Sequence, residues 1–156
     1  MDQLTTLLYR AMKEEGLTAI EAFPARTFPR AKTPFITVQT AAAQTQEAGL
    51  YRYLGMLDGR ELYGRRLLAT LQCDIYSPTS AGGSACMQAA QQLAALFLRG
   101  VEGLDIVRFT IGGCAYDPDA DCFTCRVCAE VRAYAYATAN ADGTAFEKFT
   151  LKGEIL

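Results

Sequence analysis

The sequence predicts an α+β fold, an antiparallel or mixed β-sheet with two main helices packed on one face. Three observations carry that expectation. Apolar residues recur at helical spacing in only two separated stretches, one at the N-terminus and one around residues 86–97. Apolar residues alternate through Leu67–Ile75 and again through Phe123–Ala133, the period of strands with one buried face. The order is helix, strands, helix, strands, which leaves too few crossover helices for a doubly wound parallel sheet. The chain has 156 residues, 51% of them hydrophobic, so residues 1–156 fit one domain able to bury its own core.

Taken in order, Asp2 can cap a first helix whose apolar face is Leu4, Leu7, Leu8, Ala11 and Met12, with Gly16 as its stop. From Phe23 to Pro34, three prolines at Pro24, Pro29 and Pro34 remove backbone donors and bias their predecessors away from helix, so this stretch reads as a loop or an irregular edge. Phe35–Thr40 has the β-branched and aromatic content of a short strand, with Ile36 and Val38 on one side. Between Ala41 and Arg66 the pattern is ambiguous, and the expectation is a long, mobile hairpin or loop protruding at about 41–66, with Asp58-Gly59 as its turn. Leu67–Tyr76 is a strand with Leu67, Ala69, Leu71, Cys73 and Ile75 on one face, ended by Pro78.

Residues Ser77–Gly83 are turn-rich. The second helix follows, with Cys86, Ala89, Ala90, Leu93, Ala94, Leu96 and Phe97 as its apolar stripe, Gln88, Gln91, Gln92 and Arg99 opposite, and Gly100 as its end. Two strands come next, one with Val107, Phe109 and Ile111 on a face, the other with Phe123, Cys125, Val127, Ala129, Val131 and Ala133. Asp117-Pro118-Asp119 turns between them, and Asn140-Ala141-Asp142-Gly143 leads to a final strand from Phe146 to Leu151 or beyond.

Composition narrows the chemistry. The chain has no histidine, which removes Ser-His-Asp and Cys-His catalysis and every histidine-ligated metal site. A net charge of −2 gives no global attraction to nucleic acid or to an anionic membrane. The N-terminus lacks the basic start and apolar run of a secretory signal, and no apolar stretch approaches the ~20 residues that span a bilayer. The expected compartment is therefore the cytosol, with Cys73, Cys86, Cys114, Cys122, Cys125 and Cys128 as free thiols.

Four features of the sequence bear on chemistry. Cys122-x-x-Cys125-x-x-Cys128 could in principle gather thiolates on zinc or iron–sulfur, the basis for an alternative reading as a small cysteine-dependent metal-binding protein or thiol enzyme. The stretch has no Gly or Pro to make a knuckle, and strand alternation puts Cys125 opposite Cys122 and Cys128. Cys86, near a helix start, is the candidate nucleophile if any cysteine is, although its place on the apolar stripe favours packing. Asp117-x-Asp119-x-Asp121 imitates half a calcium loop but has Cys122 and Cys128 where Gly and Glu belong. Gly82-Gly83 before a helix could seat a phosphate, yet neither the P-loop Lys nor G-x-G-x-x-G is present. The sequence thus predicts no catalytic residue, no cofactor and no metal.

What remains is a charge asymmetry. Residues 22–66 hold seven basic and three acidic side chains, a net +4, which leaves −6 for the rest. Tyr51, Tyr53 and Tyr63 stand among those arginines, and Tyr with Arg is the composition of interface hot spots. Arg52, Tyr53, Arg60, Tyr63, Arg65 and Arg66 are the candidate protein–protein contact residues.

Arg52-Tyr53-Leu54-Gly55, the strand end Asp74-Ile75-Tyr76-Ser77-Pro78, Gly82-Gly83 leading into an alanine- and glutamine-rich helix, and the paired late strands together resemble the small tail-terminator, tail-completion and neck proteins of tailed bacteriophages and prophages. The resemblance covers most of the chain as an order of elements. It implies a structural, non-enzymatic role in a ring, typically a hexamer, that caps the tail tube or joins tail to head. The implied partners are further copies of the chain, the tail-tube protein and the head–tail connector. No membrane partner is expected, and no direct nucleic-acid binding beyond DNA passing through such a ring. The implied location is the virion tail or neck, and the bacterial host cytoplasm during assembly.

Overall fold

The computed structural model describes residues 2–21, 31–46, 52–139 and 146–152. Their order is α1 (Asp2–Glu14), β1 (Ala19–Glu21), β2 (Phe35–Gln46), β3 (Tyr53–Leu57), β4 (Arg60–Pro78), α2 (Gly82–Arg99), β5 (Asp105–Ile111), β6 (Ala115–Asp117), β7 (Cys122–Ala139) and β8 (Phe146–Lys152). The strands form one mixed sheet running β1-β2-β4-β7, with β3 pairing β4 and with β6, β5 and β8 pairing in succession along β7. β1 lies parallel to β2, and the other pairings are antiparallel. The class is α+β, as the sequence predicts.

Both helices cover the same face. In α1, Leu4, Leu8 and Met12 are spaced by one turn and fully buried. The helix ends as the glycine signal predicts: Gly16 takes a φ of 78°, its N–H bonds the Lys13 carbonyl, and the Leu17 N–H bonds that of Met12. α2 buries Cys86, Ala89, Ala90, Leu93, Ala94, Leu96 and Phe97, the stripe read from the sequence, and the Gly100 N–H closes it on Leu96 and Phe97. Beneath them lie Ile36 and Val38 from β2, Leu67, Ala69, Leu71, Cys73 and Ile75 from β4, and Cys125, Val127, Ala129, Val131 and Ala133 from β7. Phe123 is only partly buried at the rim of this cluster.

Several elements differ from the sequence reading. β1 has no signature in the sequence, since three residues of sheet edge are too few for a period to be visible. β2 does not stop near Thr40 but continues through Ala41–Gln46, because β4 offers partners up to Arg66 and the ladder overrides the weak strand propensity of Ala and Gln. The ambiguous segment is thus largely strand, β2 on one side and the β3–β4 hairpin on the other. Asp58 and Gly59 both have positive φ, 51° and 75°, the left-handed pair that closes a two-residue hairpin. Val107 does not share a face with Phe109: a bulge between Ile106 and Arg108 turns it outward, and Ile106 packs against the core in its place. Gly82 and Gly83 are the first helical residues of α2, not a lead-in to it. α1 begins at Asp2, whose side chain is not among those described. The proline-bearing segment to Arg30 and the turn Asn140–Gly143 lie outside the described residues.

β4 also buries opposite sides at its two ends. Leu67 through Ser77 bury odd-numbered positions under the helices, whereas Leu62, of the other parity, is fully buried together with Tyr136 on the face that helices leave open. No register shift separates the two regions. At Gly64 the strands are too close for any side chain, since a Cβ there would lie 2.1 Å from the Ala135 carbonyl oxygen and 2.7 Å from the Tyr136 Cα.

Gly64→Ala must force backbone apart and is expected to cost about 1–3 kcal/mol or more by urea denaturation. Leu98→Ala, at a side chain 78% exposed, should stay within about 0.5 kcal/mol. Equal effects at the two positions would contradict the close approach.

Candidate functional site

The six candidate contact residues all fall on the extension of the sheet beyond the helices. Arg52 precedes β3 in a left-handed conformation, φ 66°, and is exposed. Tyr53 pairs with Tyr63 across the β3–β4 ladder, and their rings meet edge to face at 5.5 Å. The Tyr63 hydroxyl donates to Glu61 Oε2 at 2.6 Å, and this carboxylate, more than burial, raises the phenol's pKa. Strand alternation places Tyr63 and Arg65 on one face of β4 and Arg60 and Arg66 on the other. Arg60 is exposed, whereas Arg66 sits between Gln46 and Tyr134 with its Nε buried and unpartnered among the described residues. The structure therefore brings Tyr53 and Tyr63 together and distributes the arginines over both faces of one β-arm. Met56, 59% exposed, adds an apolar side chain at its tip.

The open face of the sheet nearer the core is polar. Arg126 Nε bonds Asp74 Oδ1 at 2.7 Å, Gln72 donates to the other Asp74 oxygen at 2.7 Å, Arg108 pairs with Glu130, and Arg132 with Asp105. A cleft of about 280 Å³ opens beside the first of these pairs, lined by Asp74, Tyr76, Gly113, Ala115, Asp117, Thr124, Cys125 and Arg126. The aspartates resembling a calcium loop are otherwise engaged. Asp117 Oδ1 accepts from the Asp119 and Ala120 N–H groups and so closes the turn, while Asp121 accepts from the Tyr116 hydroxyl at 2.6 Å.

β7 separates the cysteine triplet as alternation predicts. Cys125 faces the helices, while Cys122 and Cys128 lie on the open face six residues apart, about 20 Å along a strand. A different thiol grouping emerges instead: Cys86 of α2, Cys114 from the kink between β5 and β6, and Cys125. Positions 28 and 11 residues from Cys114 carry no shared period, so only the fold reveals it. Cys86 Sγ contacts the Ile75 and Phe123 carbonyls at 3.9 and 3.8 Å, Cys114 Sγ that of Gly83 at 3.7 Å, and Cys125 Sγ that of Gly112 at 3.3 Å. Gly83 is packed, not open to an anion, since a Cβ there would lie 3.2 Å from the Phe123 ring. Burial, followed by the neighbouring Cys114, pushes the Cys86 thiol up to about 12, the reverse of an activated nucleophile.

Among the described residues, no helix is long and apolar enough to cross a membrane. Set against known protein families and curated proteins, the sequence matches none.

Cys73, Cys86, Cys122 and Cys125 all have thiols raised first by burial. The folded protein thus keeps these protons at pH values where the unfolded chain has released them, so stability is complete below the unfolded thiol value of about 8.5 and falls as pH rises above it. The denaturation midpoint is expected to be lower at about pH 10 than at about pH 7, with a smaller drop in Cys86→Ala. A midpoint that holds across that interval would contradict it.

Proposed function

We propose that this chain is a non-enzymatic structural subunit of a tailed bacteriophage or prophage, assembling as a ring, a hexamer by the resemblance, that terminates the tail tube or joins tail to head. The observation that carries this reading is the β-arm: β3, the first part of β4 and the end of β7 extend the sheet past its helices. It displays Arg52, Tyr53 and Arg60 at its exposed surface, with Tyr63, Arg65 and Arg66 half-buried behind them. Tyr and Arg are the side chains enriched at interface hot spots, and a paired ladder beneath them spares the backbone ordering that a loop would need on binding.

A ring built by one rotation needs two different patches on each subunit. The arm supplies a cationic one. A weakly acidic counterpart is available where α1 ends, in a groove of about 350 Å³ whose walls set the exposed Glu14 and Glu102 against one exposed basic residue, Arg10. Such charge pairing steers encounter and fixes register more than it sets affinity. The alternative reading through Cys122, Cys125 and Cys128 gains no support from their positions, since three thiols on two faces of one strand cannot share an ion.

Mass measurement across concentration, with and without tail-tube protein, followed by electron microscopy, tests the assembly. Rings are expected, and Tyr53→Ala combined with Arg60→Glu should weaken association about tenfold or more, with the far-ultraviolet spectrum unchanged. A strict monomer that also ignores the tube protein would overturn the reading.

A further inference from the structure

We propose that Cys86 and Cys114 form a disulfide-forming thiol pair, a modification site whose reagent is a low-molecular-weight disulfide such as glutathione disulfide. The site lies apart from the β-arm and does not rest on the assembly reading.

The fold places these sulfurs together from two directions. The kink after β5 carries Cys114 against the first turn of α2, where position 83 has no side chain; a Cβ there would lie 3.5 Å from Cys114 Sγ. One helical turn on, Cys86 points into the same space, bounded by the Phe123 and Ile75 carbonyls. Cys114 Sγ lies 3.7 Å from the Gly83 carbonyl and Cys86 Sγ 3.8 Å from the Phe123 carbonyl, and the Phe123 ring itself flanks position 83, so the two thiols border the same space. Cys125, the third sulfur nearby, is instead directed to the Gly112 carbonyl at 3.3 Å. Gly113, just before Cys114, has no atom within 4 Å of where a Cβ would stand, which leaves room for the kink to adjust as the sulfurs close to bonding distance.

Accessibility assigns the roles. Cys114 is half-buried and reachable, whereas Cys86 is fully buried. The Cys114 thiolate attacks one sulfur of glutathione disulfide, that S–S bond breaks, and one glutathione leaves as thiolate and takes a proton from water. Cys86 Sγ attacks Cys114 Sγ in the mixed disulfide, the second glutathione departs, and its thiolate takes up the proton that Cys86 gives up. Two protein thiols are oxidised and one reagent disulfide is reduced to two thiols. The new bond ties the β5–β6 kink to the first turn of α2, and with it Gly113 and Ala115, which line the cleft on the open face.

The test exposes the folded protein to excess glutathione disulfide, caps remaining thiols with N-ethylmaleimide, and maps non-reduced peptides by fragmentation. A linkage joining residues 86 and 114, lost on treatment with dithiothreitol, is expected. Cys114→Ala should form no linkage at Cys86, and Cys86→Ala should stop at a stable glutathione adduct on Cys114. The wild-type map and the Cys114→Ala variant decide the matter even where replacing the buried Cys86 impairs folding. Persistence of the glutathione adduct on wild-type Cys114, a linkage to Cys125, or both thiols remaining open to alkylation after long exposure would each overturn the proposal.

Discussion

The antiparallel ladder between β4 and β7 is the constraint on which the rest of the molecule depends. It runs without a register shift from Glu61 opposite Ala139 to Pro78 opposite Cys122. Every other strand except β1 pairs with one of these two, and β1 is attached through β2. Because side chains alternate along both strands, fixing this register fixes which residues face the helices over the whole sheet. A slip of β7 by one residue against β4 would move Val127 and Val131 to the open face and bring Arg126 and Glu130 under the helices. The burial of ten side chains from these two strands, Leu67, Ala69, Leu71, Cys73 and Ile75 with Cys125, Val127, Ala129, Val131 and Ala133, explains why the ladder stays in one register over its full length.

A ladder this long outlasts the helices that cover it, and its two ends behave differently. Under α1 and α2 the sheet is packed on one side and polar on the other, where ion pairs such as Arg126–Asp74 and Arg108–Glu130 align across strands. Those pairs are substantially exposed and add little stability; their role is to keep the open face soluble and the cross-strand neighbours compatible. Beyond the helices the buried side changes, with Leu62 and Tyr136 enclosed on the opposite face and Gly64 allowing the two strands to close up. That change gives the β-arm its own anchoring and lets it carry arginine and tyrosine side chains on both faces.

Much of this was legible in the sequence. Both apolar helix faces, the glycine stops at Gly16 and Gly100, the Asp58-Gly59 turn and the alternation of β4 and β7 rest on interactions within about four residues, or on the period of one strand, so local pattern reports them. The candidate contact residues Arg52 to Arg66 were legible as composition, but their arrangement was not. That Tyr53 and Tyr63 touch, and that Arg60 and Arg66 face away from Arg65, follows from hairpin register. The continuation of β2 to Gln46 and the outward turn of Val107 were likewise invisible, since the first depends on a partner strand and the second on a bulge against β7.

The sequence by itself determined the fold class, the buried stripes and the split of Cys122, Cys125 and Cys128 between two faces, because periodicity is a property of the chain alone. Only the tertiary structure decided which distant groups meet. Cys86, Cys114 and Cys125 come from a helix, a kink and a strand with no common spacing, and the arm exists because one ladder is longer than the helices above it. Contacts between elements are set by packing and strand pairing, whose free energy depends on surfaces brought together across the chain and leaves no mark in any local window.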